Sequence, residues 1–177
     1  MIRGIQTQTL VRLRDHLLAT GERKSLFVAG PDAYEHPLEG DDEAKAYFDA
    51  VAEAMYLMIA SDGKVEESER NVYRGALREL TGGRMRSALI DKVVTDLDAA
   101  LKRDGQAKRL DAVCDVLKQR VEAAEAGFVL AAAIAFADDE IADAENEVLN
   151  DLADRLDIGA ERAEQLLDEL EKDSATA

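Results

Sequence analysis

Two acidic stretches hold the side chains best equipped for chemistry in this sequence. The first runs Ala60-Ser61-Asp62-Gly63-Lys64-Val65-Glu66-Glu67-Ser68-Glu69, the second Phe136-Ala137-Asp138-Asp139-Glu140-Ile141-Ala142-Asp143-Ala144-Glu145. A single constant offset lays Asp62 on Asp138, Val65 on Ile141 and Glu69 on Glu145. Each copy presents an Asp, a branched aliphatic residue three positions on, and a Glu seven positions on. Carboxylates are hard oxygen donors, and neither stretch contains a His or Cys. The chemistry they fit is the binding of Ca²⁺, Mg²⁺ or Mn²⁺ rather than Zn²⁺ or Cu²⁺. The expected metal ligands are Asp62, Glu69, Asp138 and Glu145, with Glu66, Asp139 and Asp143 as further oxygens. Should the fold bring both stretches together, carboxylates about 4 to 5 Å apart repel by roughly 3 to 4 kcal/mol per pair at an effective dielectric of about 20. A bound cation relieves that repulsion.

A second account of the same residues needs no metal. Asp-Gly forms turns, and a Glu in the first turn of a helix is favoured by the macrodipole and by capping, worth about 0.5 to 1 kcal/mol. Glu69 and Glu145 fit that role. Asp62 and Asp138 fit it less well, because each follows the C-terminal end of an apolar helix, where the dipole disfavours an anion; an Asx-turn or a cap on the next helix can still recruit one. The stretches also look like the back half of an EF-hand loop, in which an Asp and Gly precede an aliphatic residue and a terminal bidentate Glu. The front half is missing. The positions four and two residues before each Asp hold Met58 and Ala60 in the first copy and Ile134 and Phe136 in the second, so an EF-hand is rejected.

The elements that must position these turns read as helices throughout. Alternating apolar and polar runs are absent, and Ala, Leu, Glu, Asp and Arg dominate over β-branched residues, which predicts an all-α bundle of about seven or eight helices. Tyr47 to Ala60 and Ala126 to Ala137 are apolar almost all round, as expected of a central pair enclosed by neighbours. Each leads through its acidic turn into an amphipathic helix. Val72, Tyr73, Ala76, Leu77 and Leu80 on one such helix fall on Val148, Leu149, Leu152, Ala153 and Leu156 under the same offset. The expectation is a duplicated helix-turn-helix unit over about 47–83 and 126–159. Further stripes recur at Leu89, Val93, Leu97 and Leu101, at Leu110, Val113, Cys114, Leu117 and Val121, and at Ala163, Leu166, Leu167 and Leu170. Gly82-Gly83 reads as a helix stop. Residues 1–40 form an N-terminal helix and a loop with both prolines, Pro31 and Pro37, expected to pack on the core domain of 41–177.

Charge and composition narrow the function classes. The net charge is −16, and from Asp138 to Asp173 there are 15 acidic residues against three basic ones. Such a field repels phosphate backbones and anionic lipid and attracts cations or a basic protein surface, so nucleic-acid binding is not expected. A solvated acidic face that maintains solubility accounts for the charge equally well. The longest uncharged run, Ala126 to Ala137, is too short to cross a bilayer as a helix, and the first residues show no secretory pattern. A single cysteine, Cys114, excludes an internal disulfide and fits a reducing, cytoplasmic compartment. His16 and His36, the two histidines, belong to neither a His-Glu-x-x-His motif nor a di-iron carboxylate pattern, and no nucleophile elbow or phosphate loop is present. With no Trp and few aromatics to stack a sugar, glycosidase-type use of the carboxylates is a minor reading.

The two turns, each following a buried Ala-rich helix, resemble those of the TerB family of bacterial tellurite-resistance proteins over roughly Tyr47 to Leu170. The resemblance implies a compact helical bundle whose acidic turns form a metal site. It also implies a role in tellurite or envelope stress beside a TerC-like membrane protein or a TerD-like calcium binder, which would recruit the chain to the inner face of the membrane. Asp139 departs from the pattern by replacing the turn glycine. The segment through Gly40 takes no part in the likeness. The expected function is a non-catalytic divalent-metal-binding module acting through protein partners; the alternative is a metal-free acidic helical interaction domain.

Overall fold

A computed structural model describes residues 42–136 and 142–175. Seven helices make up this part, with no strand among the described residues: α1 (Asp42–Ile59), α2 (Glu67–Leu80), α3 (Ser87–Asp104), α4 (Gln106–Leu117), α5 (Val121–Ala135), α6 (Asp143–Arg155) and α7 (Ala160–Ala175). The N-terminal helix and proline loop expected over residues 1–40, with His16 and His36, lie outside the described residues.

The core forms where the sequence is apolar on every side. All residues from Ala50 to Ala60 and from Ala126 to Ala135 are buried, and α1 and α5 pack on each other more extensively than any other pair. Small side chains allow this close approach. At Gly127 an added Cβ would lie 2.6 Å from Leu117 Cδ1, so α5 meets α4 where only hydrogen fits. The remaining helices cover the central pair: α4 and the α2–α3 hairpin lean on α1, α6 leans on both α1 and α5, and α7 leans on α5.

Polar groups in the interior are paired, as their desolvation requires. Glu53, 9% exposed in the middle of α1, is held by Arg109 of α4 through two bonds of 2.6 and 2.7 Å. The Tyr73 hydroxyl of α2 donates to the Ala52 carbonyl at 2.8 Å, and its ring meets Tyr56 edge-on at 5.6 Å. Tyr56 in turn donates to Asp98 of α3 at 3.3 Å. Burial, then the adjacent Asp98 carboxylate, pushes the Tyr56 pKa up to about 12. Cys114 is buried, which pushes its thiol up to about 11, as a core residue rather than a reactive one.

Two apolar stripes differ from the sequence expectation. On α3 the buried residues are Leu89, Ile90 and Val94, while Val93, Leu97 and Leu101 are half-buried. Val121 leaves the stripe of α4, which stops at Leu117, and starts α5 with 69% of its surface exposed. On α4 Leu110, Val113, Cys114 and Leu117 are buried as expected, and on α7 Leu166 and Leu170 are buried while Ala163 and Leu167 are half-buried.

The two segments expected to repeat agree in burial and in the helix boundaries that flank each turn, while α6 ends one residue earlier than the offset from α2 would place it. The offset that lays Asp62 on Asp138 also lays the last residue of α1, Ile59, on the last of α5, Ala135, and the first residue of α2, Glu67, on the first of α6, Asp143. Tyr73, Ala76, Leu77 and Leu80 are buried, as are Leu149, Leu152, Ala153 and Leu156, while Val72 and Val148 are both half-buried. Both amphipathic helices also stop in the same way. Gly83 N–H donates to Arg78 O at 2.8 Å around Gly82 at φ 61°, and Ile158 N–H donates to Ala153 O at 3.0 Å around Asp157 at φ 57°. This six-to-one bond closes a helix through a left-handed residue.

Candidate functional site

The first acidic turn begins where α1 runs out of apolar residues. Gly63 adopts φ 83°, a conformation glycine takes without strain, and its N–H donates back to Ala60 O at 3.0 Å. Asp62 Oδ1 accepts from the Lys64 N–H at 2.8 Å, an Asx-turn that fixes the carboxylate on the turn and leaves Oδ2 outside that bond. The aliphatic position has a packing reason, since Val65 is half-buried against the core. Glu66 is extended (φ −74°, ψ 160°) and caps α2, and Glu69 Oε2 reaches back to accept its N–H at 2.7 Å. Glu67, first residue of α2, is engaged by Arg74 at 3.0 Å.

The second turn repeats what can be described of the first. Ala142 is extended (φ −66°, ψ 152°) ahead of α6, and Glu145 Oε2 accepts its N–H at 2.9 Å. Asp143 is exposed at the first position of α6. Asp138 and Asp139, with the rest of 137–141, lie outside the described residues.

Glu69 links the two turns electrostatically. It is half-buried, and its pKa is raised first by that burial; the Glu66 N–H bond lowers it, and the carboxylates of Asp62, Glu66 and Glu145 raise it again. A glutamate of one turn therefore feels the negative charge of its counterpart in the other, although α2 and α6 share no substantial packing of their own. Among the described residues, to which Asp138 and Asp139 do not belong, no three of His, Cys, Asp and Glu gather closely enough to hold a metal ion. Asp62, Glu66 and, most weakly, Glu145 each act on the charge of Glu69, but these four residues do not gather into a metal-holding group. Asp143 sits at the start of α6 with no described tie to Glu69.

Two of the further oxygens expected, Glu66 and Asp143, do not occupy equivalent positions. Under the offset that relates the two turns, Asp143 corresponds to Glu67, and Glu66 corresponds to Ala142. Counting from the helix start rather than from acidity would have found Glu67, whose carboxylate is spent on Arg74. Also among the described residues, no helix is long and apolar enough to cross a membrane.

The family model described as "Tellurite resistance protein TerB" matches residues 48–168, more than half of the chain. No curated protein and no solved structure matches. The matched span runs from the first buried turn of α1 into α7 and includes both acidic turns. On that match, joined to an all-helical fold with its two acidic turns, the chain belongs to the TerB family.

Proposed function

We propose that this chain is a non-catalytic divalent-cation-binding module of a bacterial tellurite-resistance or envelope-stress system, and that it acts through protein partners. The observation that carries the reading is the matched geometry of the two helix starts, where Glu69 and Glu145 each turn a carboxylate back to the residue three before, and Asp62 holds its own on the first turn. The pKa of Glu69 is raised, first by burial and then by Asp62, Glu66 and, least, Glu145. A site that raises the cost of its own ionisation favours a counter-ion. The donor chemistry fits a hard cation, since every candidate ligand is a carboxylate. Asp62, Glu69, Asp138 and Glu145 would hold it, with Glu66, Asp139 and Asp143 as additional oxygens. The bound ion would supply charge neutralisation between the starts of α2 and α6.

The same field argues against direct contact with tellurite. An oxyanion is repelled by an acidic cluster on a chain of net charge −16. The module's part in resistance is therefore through partners, a TerC-like membrane protein or a TerD-like calcium binder, at the cytoplasmic face of the membrane.

One observation favours a second reading, a metal-free acidic interaction domain. Asp62 Oδ1 and the Oε2 atoms of Glu69 and Glu145 already accept backbone N–H groups, as turn and capping residues do without any ion. Thermal melts of chelator-stripped protein separate the two. Ca²⁺, Mg²⁺ or Mn²⁺ at 100 times its dissociation constant should stabilise the fold by about 2.7 kcal/mol, and Asp138→Ala should abolish the shift. A wild type whose melting is unmoved by all three ions leaves the interaction domain as the better account.

A further inference from the structure

The α2–α3 hairpin concentrates positive charge at one corner of an otherwise acidic molecule. Along the hairpin, Arg74 pairs with Asp91 at 3.0 Å, and Arg70 lies in the field of Asp98. One turn further, Arg78 meets the Ser87 hydroxyl, at 3.1 Å, where the register would place a third carboxylate. No acidic residue occurs between Glu79 and Asp91 in the sequence, and Arg78 and Arg86 at either side of the hairpin turn are exposed. The corner is held in shape from beneath. Met85 is fully buried, and its N–H donates to Thr81 Oγ1 at 3.1 Å.

The complement lies on α7. Glu161, Glu164, Asp168 and Glu171 follow one another at spacings of three, four and three, so they share one face, and all four are exposed. This stripe extends about 15 Å along the helix. α7 rests on α5, and the hairpin rests on α1, with no substantial packing between α7 and the hairpin in one chain. The stripe and the corner are therefore both presented outward.

We infer that the arginine corner of one chain docks the carboxylate stripe on α7 of a second copy, in a head-to-tail contact. Such a contact is heterologous, so the pair keeps one unused corner on one copy and one unused stripe on the other. Two chains of charge −16 repel at long range. At about 0.1 M salt that repulsion is screened beyond about 10 Å, and the facing groups decide the contact. A second copy suits the corner better than an anionic membrane, because the stripe offers carboxylates at fixed spacing whereas a lipid surface meets the whole acidic molecule.

Sedimentation velocity on the full chain tests this. At about 0.1 M salt the average mass should rise with protein concentration, and at about 1 M it should fall to the monomer. Arg78→Glu with Arg86→Glu should weaken association by on the order of tenfold or more, and so should Glu164→Arg with Asp168→Arg. Mixing the two double variants should restore a mixed assembly, which also shows that both remain folded. A monomer at every concentration and salt, or association that survives both charge reversals, overturns the inference. So does Arg86-dependent pelleting with phosphatidylglycerol vesicles by a chain that does not self-associate.

Discussion

At Glu69 two demands meet: the start of α2 needs an acceptor for the Glu66 N–H, and the neighbouring carboxylates disfavour its charge. Burial and those neighbours raise the pKa in the folded chain, so the folded state holds the proton more tightly than the unfolded one. The stabilisation from the protonated form is present at low pH and lost as pH rises through the folded pKa. In chelator-stripped protein Glu69→Gln should therefore melt above the wild type at neutral pH, because the amide oxygen still accepts the N–H without the charge. The difference should close as the pH is lowered past the Glu69 pKa. Glu69→Ala, which loses the cap as well, should fall about 0.5 to 1 kcal/mol below Glu69→Gln. Thermal melts across pH check both. The capping role was legible in the sequence from the position of Glu69 at the start of an amphipathic run. Its exposure to Glu145 was not, since nothing local encodes how close two turns so far apart in the chain will come.

Among the elements, the closing turns of α2 and α6 offer a controlled comparison. Gly82 and Asp157 both sit in the left-handed region, at φ 61° and 57°, and only glycine does so without crowding its Cβ. Asp157→Gly should stabilise the fold by about 0.5 to 1 kcal/mol, read as a higher urea midpoint with an unchanged slope. At Gly127 the opposite holds. Alanine is the better helix former by about 1 kcal/mol, yet its methyl would strike the buried Leu117 at 2.6 Å, and overpacking costs about 1 to 3 kcal/mol. Gly127→Ala should destabilise the fold by a net of about 1 kcal/mol, read as a lower urea midpoint. The central helices were readable because they are apolar on all sides, a pattern only enclosure explains. The rotation of α3 was not readable, since Ile90 and Val94 form a second apolar row beside Leu89 and Val93. The links from Arg74 to Asp91 and from Tyr56 to Asp98 fit the rotation that buries Ile90 and Val94, and they depend on distant helices.

For the whole molecule, the sequence made the helical class and the enclosed pair plain, because helical periodicity and composition are local properties. Of the candidate site, the sequence carried the carboxylate type and the repeated spacing of Asp62, Glu69 and Glu145. How closely the two turns approach was not legible, because that depends on the packing of helices far apart in the chain. In the proposed site, carboxylates from both turns serve one cation. Calorimetric titration of Ca²⁺, Mg²⁺ and Mn²⁺ into the chelator-stripped full chain tests it most directly. The account predicts one cation bound per chain for at least one of these ions, with the heat abolished by Asp62→Asn alone and by Asp138→Asn alone. No heat from any of the three, or two independent sites that each survive loss of the other's Asp, would contradict it.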